Sequence, residues 1–222
     1  MLSQDSEEYL MFSAARIELE GVLHIPAGVI PSPGVVTCHP HPLFGGDMSN
    51  NVVLVICRAL AWAGIATFRF NFRGVGKSQG SFADGVGEQE DVGAAIASLR
   101  SRREIDSQRI GLLGYSFGAR VALPVALREE RLQALALISP LFSASDWEQM
   151  KNYLVPKLFL CGNKDGFVSS SEVEHFSQQL SQPWQLEIIP GADHFWWGYE
   201  EEVARRVSTF FSTALKSSKA KR

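Results

Sequence analysis

The chain has few cysteines, no long apolar run and no strong excess of either charge. Three of its 222 residues are cysteine, an odd number with no pair at Cys-x-x-Cys spacing. Neither a disulfide framework nor a metal site is therefore expected. No stretch approaches the roughly eighteen uninterrupted apolar residues of a membrane span. The first eight residues are acidic and lack the basic and apolar parts of a signal peptide. We therefore expect a cytoplasmic protein that has no membrane partner.

The charge balance also argues against a dedicated nucleic-acid binder. The net charge is −3, and basic residues cluster only over 216–222, where a solvated chain end is the simplest interpretation. With 222 residues and 45% apolar content, the chain can build one sizeable core. No repeat or linker interrupts it. We predict a single domain over 1–222, with flexible ends at about 1–8 and 216–222, and the sequence does not indicate an oligomeric state.

Strand-like and helix-like segments alternate along most of the chain. Residues 9–25 alternate between apolar and polar, which predicts an antiparallel hairpin with Gly21 as a possible turn or bulge. Further strands are predicted over 34–38, 65–70, 110–115, 134–138, 157–161 and 184–190. Helices are predicted over 51–63, 88–100, 117–128, 145–153, 170–180 and 199–215. This order predicts an α/β fold with a mostly parallel twisted sheet, an antiparallel N-terminal hairpin and helices on both faces.

The most informative stretch is Gly114-Tyr115-Ser116-Phe117-Gly118, between a predicted strand and a predicted helix. In a Gly-x-Ser-x-Gly turn at such a junction, the serine sits on a sharp elbow with its hydroxyl above the sheet edge. A side chain at either glycine would collide with neighbouring backbone as the chain reverses. Ser116 is therefore the candidate nucleophile.

A base and an acid are expected at other strand ends, because ligands of open α/β sheets bind outside the carboxyl ends of the strands. Asp165 follows one buried strand and His194 follows the last one. The chain order Ser, Asp, His is the order expected when the serine occupies an elbow. Asp146 is a rival acid, although it suits the start of a short helix better. Asp193 is more simply a residue that caps or orients the loop before His194.

An oxyanion needs two fixed hydrogen-bond donors. The backbone N–H of Phe117, which follows the nucleophile, is expected to be one of them. The second should come from His39-Pro40-His41-Pro42, which follows the strand at 34–38. Since prolines have no backbone N–H, His41 is the available donor between Pro40 and Pro42.

These motifs resemble the α/β-hydrolase superfamily over roughly 14–215. His39-Pro40-His41-Pro42 is similar to its His-Gly-x-Pro oxyanion stretch, with Pro40 in place of glycine. The segment from Asn71 to Ser78 resembles its Asp-x-Arg-Gly-x-Gly-x-Ser loop, with Asn71 at the aspartate position. The resemblance is to a small branch near the dienelactone hydrolases and the acyl-peptidase catalytic domains. A dienelactone hydrolase itself would be expected to carry cysteine at position 116, so Ser116 favours an acyl-enzyme route on a serine.

Only residues 139–156 separate the strand after the elbow helix from the strand that bears Asp165. A large cap domain does not fit there, so the site should be open and shallow. Small acyl esters or thioesters are the expected substrates, with no metal or organic cofactor. An apolar acyl pocket is predicted from Leu43, Phe44, Phe117, Leu141, Phe142, Phe167, Phe195 and Trp196. For Trp196, packing of the last helix is an equally good interpretation.

Three alternatives to a serine esterase remain open from the sequence. The same residues could cleave peptides or amides, and they could transfer the acyl group to an acceptor other than water. A protein of a different class, a non-catalytic binding protein with the hydrolase fold, would normally have lost the serine or the histidine. This chain keeps both Ser116 and His194, which favours an enzyme.

Overall fold

The computed structural model describes residues 2–215, so the predicted flexible end at 216–222 lies outside the described residues. The main sheet has eight strands in the order β10-β9-β8-β7-β5-β6-β3-β2, and β1 pairs with β4 in a small separate ribbon. The strands of the described chain are β1 (Leu2–Ser3), β2 (Ser6–Ala14), β3 (Ile17–Ile25), β4 (Gly28–Val29), β5 (Ser32–Cys38), β6 (Ala66–Phe70), β7 (Ile105–Tyr115), β8 (Leu132–Ile138), β9 (Lys157–Gly162) and β10 (Trp184–Ile189).

Helices connect these strands, as the alternation in the sequence predicts. They are α1 (Asn51–Trp62), α2 (Gly87–Arg100), α3 (Phe117–Arg128), α4 (Ala144–Met150), α5 (Ser170–Ser177) and α6 (Glu200–Ala214), with a short 3-10 turn at Pro42–Phe44. α4 and α5 end earlier than predicted. Beyond them the amide of Tyr153 bonds to Met150 and that of Leu180 to Ser177, a three-residue spacing that continues the chain as tighter turns.

The N-terminal hairpin forms, but its turn differs from the one that we expected. β2 pairs antiparallel with β3 from Ser6 opposite Ile25 to Ala14 opposite Ile17. The chain reverses at Ala15, which has φ 54°. Gly21 lies inside β3, where an added Cβ would come 2.6 Å from the Phe68 ring. That glycine is therefore required by close packing and not by a turn. The pairing also places residues 6–8, expected in a flexible end, in a strand.

β5 to β10 form a parallel array, and β3 joins it antiparallel at β6. Buried side chains make one core layer on each face of the sheet. One layer includes residues of α2, α3, α4 and α5, and the other includes residues of α1 and α6. The predicted architecture of a parallel sheet between two helical layers, with an antiparallel N-terminal hairpin, is confirmed.

Two features of this fold position the site. β7 lies near the middle of the sheet, between β5 and β8, so the loop that follows it is flanked by strand ends on both sides. Between β8 and β9, the described chain forms only the seven-residue helix α4, and no cap domain covers the strand ends. No helix within residues 2–215 combines the length and the apolar character that crossing a bilayer requires.

Candidate active site

A sharp elbow joins β7 to α3 at Ser116. Ser116 has φ 56° and ψ −115°, a strained backbone for a residue with a side chain. An added Cβ at Gly114 would lie 2.4 Å from the carbonyl oxygen of Gly118. At Gly118 it would lie 2.3 Å from the carbonyl oxygen of Cys38. Both glycines are therefore required by backbone contact, and the elbow packs directly on the end of β5.

The elbow places Ser116 against His194. Oγ of Ser116 lies 2.9 Å from Nε2 of His194. On the other side of the ring, Nδ1 of His194 lies 2.8 Å from Oδ2 of Asp165 and 3.0 Å from Oδ1. Both Ser116 and His194 are more than nine-tenths buried. The three residues that the sequence placed at different strand ends thus form one continuous hydrogen-bonded chain.

Asp165 is held in its ionised form. Burial alone would raise the pKa of this carboxyl, but the hydrogen bonds from His194 and from the N–H groups of Phe167 and Val168 outweigh burial and lower it. Both of those N–H groups donate to Oδ1 at 2.9 Å. An ionised Asp165 accepts from Nδ1 of His194, which leaves Nε2 free to accept the proton of Ser116.

The rival acid, Asp146, has a different partner. Its Oδ2 accepts hydrogen bonds from the backbone N–H and the hydroxyl of Ser143, both at 2.7 Å. The Ser143 hydroxyl in turn accepts from the Asp146 N–H, which completes a capping box at the start of α4. The structure therefore places Asp165, and not Asp146, against His194.

Two further residues hold the loop that carries His194. The Tyr115 hydroxyl donates to the carbonyl oxygen of His194 at 2.8 Å, and both partners are buried. Oδ1 of Asp193 accepts from the N–H groups of Phe195 and Trp196 at 3.0 and 2.9 Å. These two contacts agree with the prediction that Asp193 caps or orients the loop that carries His194. The role of Tyr115 was missed, although a buried tyrosine usually needs a partner for its hydroxyl.

The candidate oxyanion donors lie on adjacent turns. Phe117 is the first residue of α3, so its N–H has no intrahelical acceptor. The rings of His41 and Phe117 are 4.8 Å apart between centroids, which brings the two loops together at the elbow. The chain after His41 turns back tightly, because the N–H of Gly46 donates to the His41 carbonyl at 3.0 Å. A Cβ at Gly46 would meet the Pro40 carbonyl oxygen at 2.2 Å.

His39 fixes the base of this loop. It is fully buried, and its Nε2 accepts from the N–H of Phe72 at 3.1 Å. Nδ1 must then carry the proton, and it donates to the carbonyl of Pro40 at 2.6 Å. Burial lowers the pKa of His39 to about 4, against smaller opposing effects of the Pro40 carbonyl and of Asp47. His39 is therefore a neutral bridge between the two loops that follow β5 and β6.

Asn71 ties down the far end of the same loop. Its Oδ1 accepts from the N–H of Met48 at 2.8 Å, and its Nδ2 donates to Oε1 of Glu20 at 2.7 Å. An aspartate could not donate to Glu20, which explains why an amide stands at this position. The neighbouring Arg73 pairs with the buried Asp91 at 2.7 Å, so it stabilises the loop and does not face the site.

Comparison with known proteins identifies the family to which this fold belongs. The family model described as "Dienelactone hydrolase family" matches residues 19–210. The chain belongs to the Dienelactone hydrolase family. An uncharacterised protein of Rickettsia prowazekii is 34% identical over 190 residues, which cover 82% of this chain and 79% of that protein.

Two solved structures extend the comparison. An α/β serine hydrolase homologue from Coxiella burnetii has 34% identity and a TM-score of 0.83, covering 91% of this chain and 96% of its own. A protein of Xanthomonas campestris, described as an α/β serine hydrolase without lid, has 30% identity and a TM-score of 0.83. That match covers 98% of this chain and 99% of the other. This chain is a hydrolase with the α/β-hydrolase fold.

In this family member, a cavity of about 490 Å³ opens above Ser116 and His194. Four of the apolar residues predicted for the pocket line it. They are Phe44, Leu141, Phe167 and Phe195, all of them exposed. The cavity is therefore an open, largely aromatic basin with the serine at its floor, as expected for a site without a cap.

Four predicted pocket residues do not line this cavity. Leu43 lies on the 3-10 turn and is 67% exposed. Phe142 packs edge-on against Trp147, with ring centroids 5.3 Å apart, and lines a neighbouring cavity of about 290 Å³. Phe117 is buried, and its ring packs between those of His41 and Phe72. The remaining residue is Trp196.

Assigning Trp196 to the pocket was wrong. It is fully buried and belongs to the core layer that contains α6. Its φ of 63° follows from the turn capped by Asp193, and this turn directs the side chain inward. There the indole N–H donates to the hydroxyl of Ser139 at 3.2 Å. Among the described residues, no group of three His, Cys, Asp or Glu side chains is placed to hold a metal ion.

Proposed function

We propose that this protein is a serine hydrolase that cleaves small carboxylic esters or thioesters through an acyl-enzyme intermediate. The observation that carries the proposal is the chain of short contacts from Oγ of Ser116 through His194 to Asp165, at 2.9 and 2.8 Å. The chain ends at the floor of an open cavity. A nucleophile, its base and the residue that orients the base are the three parts that acyl transfer by serine requires.

In the first half of the reaction, Ser116 Oγ attacks the ester carbonyl carbon while Nε2 of His194 takes the hydroxyl proton. The negative charge that develops on the carbonyl oxygen is stabilised by the N–H groups of His41 and Phe117. The imidazolium that forms lies against the ionised Asp165. When the tetrahedral intermediate collapses, the bond to the leaving alcohol breaks and Nε2 delivers its proton to that alcohol.

In the second half, a water molecule attacks the acyl-enzyme. Nε2 of His194 takes one proton from the water, and the resulting oxyanion uses the same two N–H donors. Collapse then breaks the bond between the acyl carbon and Ser116 Oγ, and the proton returns from His194 to the serine. The products are the carboxylic acid and free enzyme, with no electron transfer and no cofactor.

The size and openness of the cavity support small substrates. A volume of about 490 Å³ with an aromatic rim can hold a short acyl chain or one ring, together with a small leaving group. Long-chain lipids would need a deeper apolar channel than this basin offers. Amide cleavage and acyl transfer to another acceptor use the same residues, and product analysis with competing amines and alcohols distinguishes them from hydrolysis.

The decisive experiment combines covalent labelling with turnover. A fluorophosphonate probe should label the protein at Ser116, and Ser116→Ala should abolish both the labelling and the hydrolysis of p-nitrophenyl acetate. The matched control is Ser145→Ala, because Ser145 is an exposed serine on α4; this variant should keep both. Wild-type turnover by Ser116→Ala would refute the mechanism, and a folded wild-type protein that neither labels nor turns over would favour a non-catalytic binding protein.

We also propose that the protein is cytoplasmic and that its binding partner is a small-molecule ester. We do not expect it to bind nucleic acid or a membrane. The three cysteines, Cys38, Cys57 and Cys161, are free thiols buried in the structure, which fits a reducing compartment. Fractionation of cells that express the protein at native levels would test the location.

A further inference from the structure

Asn50 lines the cavity above Ser116 and also caps α1. Its Oδ1 accepts hydrogen bonds from the N–H groups of Val52 and Val53 at 3.1 and 3.4 Å. Oδ1 accepts from two backbone N–H groups, so a flipped amide would place its NH₂ group against those two donors. The orientation of the Asn50 side chain is therefore fixed by its capping role.

This capping leaves the NH₂ group of Asn50 as the free end of the amide. Among the described residues, the hydrogen bonds of the Asn50 side chain all involve Oδ1, and none involves Nδ2. The residue itself is only partly exposed, and it forms part of the cavity wall. A donor with a fixed orientation and no protein partner thus stands in the wall of a basin that is otherwise rich in aromatic side chains.

Apart from Nε2 of His41, the other polar side chains of the cavity already have assigned contacts. Ser116 and His194 bond to each other, and the Tyr115 hydroxyl donates to the His194 carbonyl. Nδ1 of His41 accepts from the N–H of Leu43 at 3.2 Å. Asn50 therefore supplies a donor that is neither part of the proposed reaction steps nor used to hold the loops.

We propose that Asn50 is a specificity-determining residue that selects esters carrying a neutral oxygen acceptor, an ether, hydroxyl or carbonyl, apart from the scissile carbonyl. The inference rests on the proposed esterase function and names the substrate class of that site. A carboxylate is disfavoured, because none of the described residues that line the cavity is a Lys or Arg that could pair with its charge. Asp47, three residues before Asn50, adds a nearby negative charge.

The test compares isosteric esters that differ only in one oxygen. One pair is p-nitrophenyl 3-methoxypropanoate and p-nitrophenyl pentanoate, which places the oxygen in the acyl group. The other pair is 2-methoxyethyl acetate and butyl acetate, which places it in the alcohol. For each pair, the quantity measured is the ratio of kcat/KM for the ether to kcat/KM for the alkyl ester. Comparing that ratio between variants cancels the intrinsic reactivities of the esters.

Asn50→Asp keeps an oxygen that caps α1 and removes the NH₂ donor. For at least one pair, we expect it to lower the ether-to-alkyl ratio by about threefold to tenfold relative to wild type, as expected for one neutral hydrogen bond. Asn50→Ala should lower the ratio similarly and also lower the melting temperature, because it removes the cap as well. Asn51→Ala, next along the chain but outside the cavity wall, is the matched control and should leave the ratio at the wild-type value.

Two outcomes separate the failure of this inference from failure of the proposed function. In the first outcome, wild type hydrolyses the alkyl esters in a Ser116-dependent manner, but the ether-to-alkyl ratio is the same in wild type and Asn50→Asp for both pairs. This result would refute the role of Asn50 and leave the proposed esterase function intact. If wild type hydrolyses neither member of either pair, the proposed function and the inference built on it both fail.

Discussion

Mild acid should destabilise this protein through His39. This residue is fully buried, and its Nε2 accepts a hydrogen bond from the Phe72 N–H at 3.1 Å. Protonation would place two N–H groups face to face in the core, so the neutral ring is the form that the fold accommodates. Burial lowers the pKa of His39 from 6.5 to about 4. At a pH between these two pKa values, His39 binds a proton in the unfolded chain but not in the folded protein.

The sign and size of the effect follow from linkage. Because the folded pKa is the lower one, the stabilisation is present above the unfolded pKa and is lost as the pH falls toward the folded pKa. The full shift corresponds to about 3 kcal/mol. At pH 5 the expected loss relative to pH 8 is about 2 kcal/mol. Most of this loss comes from protonation of His39 in the unfolded chain.

Urea unfolding of wild type and His39→Gln at both pH values provides the measurement. Glutamine retains an acceptor but does not titrate between pH 5 and pH 8. We expect the variant to be less stable than wild type at pH 8 by about 1–3 kcal/mol, since its hydrogen bonds are less well aligned. Its further loss on going to pH 5 should be smaller than that of wild type by about 2 kcal/mol. An equal pH dependence in the two proteins would refute the assignment of this acid sensitivity to His39.

Three further substitutions test the contacts around the site. Tyr115→Phe should lower the free energy of unfolding by about 1–3 kcal/mol, because it leaves the buried carbonyl of His194 without a donor; denaturation that matches wild type would contradict this. Asp165→Asn should lower kcat for p-nitrophenyl acetate by about 10³–10⁴-fold, because it favours the wrong tautomer of His194, and circular dichroism would verify that the variant folds. Asn71→Asp should destabilise the protein by about 1–3 kcal/mol at pH 8, because it sets a carboxylate against Glu20. That loss should shrink at pH 4, where one carboxyl can carry a proton, and a loss that does not depend on pH would be evidence against charge repulsion.

The alternation of strands and helices and the elbow motif could be predicted from the sequence because both depend on local rules. Hydrophobic periodicity sets which segments are strands, and the two glycines beside Ser116 are required by the immediate reversal of the chain. The order Ser, Asp, His then follows from the fold class. The same local rules misplaced the hairpin turn at Gly21, where the need for glycine comes from the Phe68 ring on another strand.

Side-chain direction at the loops could not be predicted in the same way. Phe195 and Trp196 are adjacent and similar in chemistry, yet Phe195 lines the cavity and Trp196 fills the core. The difference arises from the turn capped by Asp193 and from the left-handed backbone of Trp196. The pattern of apolar residues in the sequence does not predict that turn.

By itself, the sequence determined which elements form and which residue types stand at the carboxyl ends of the strands, because those properties depend on near neighbours in the chain. Only the tertiary structure decided which aspartate reaches His194 and which groups brace the loops, because these contacts join segments far apart in sequence. The choice of Asp165 over Asp146 depends on β9 lying two strands from the elbow. The support from Tyr115 depends on the loop after β10, the strand at the edge of the sheet, reaching back to the elbow. Hydrogen-bond partners of this kind are set by how the whole sheet is assembled, and local propensity carries no information about them.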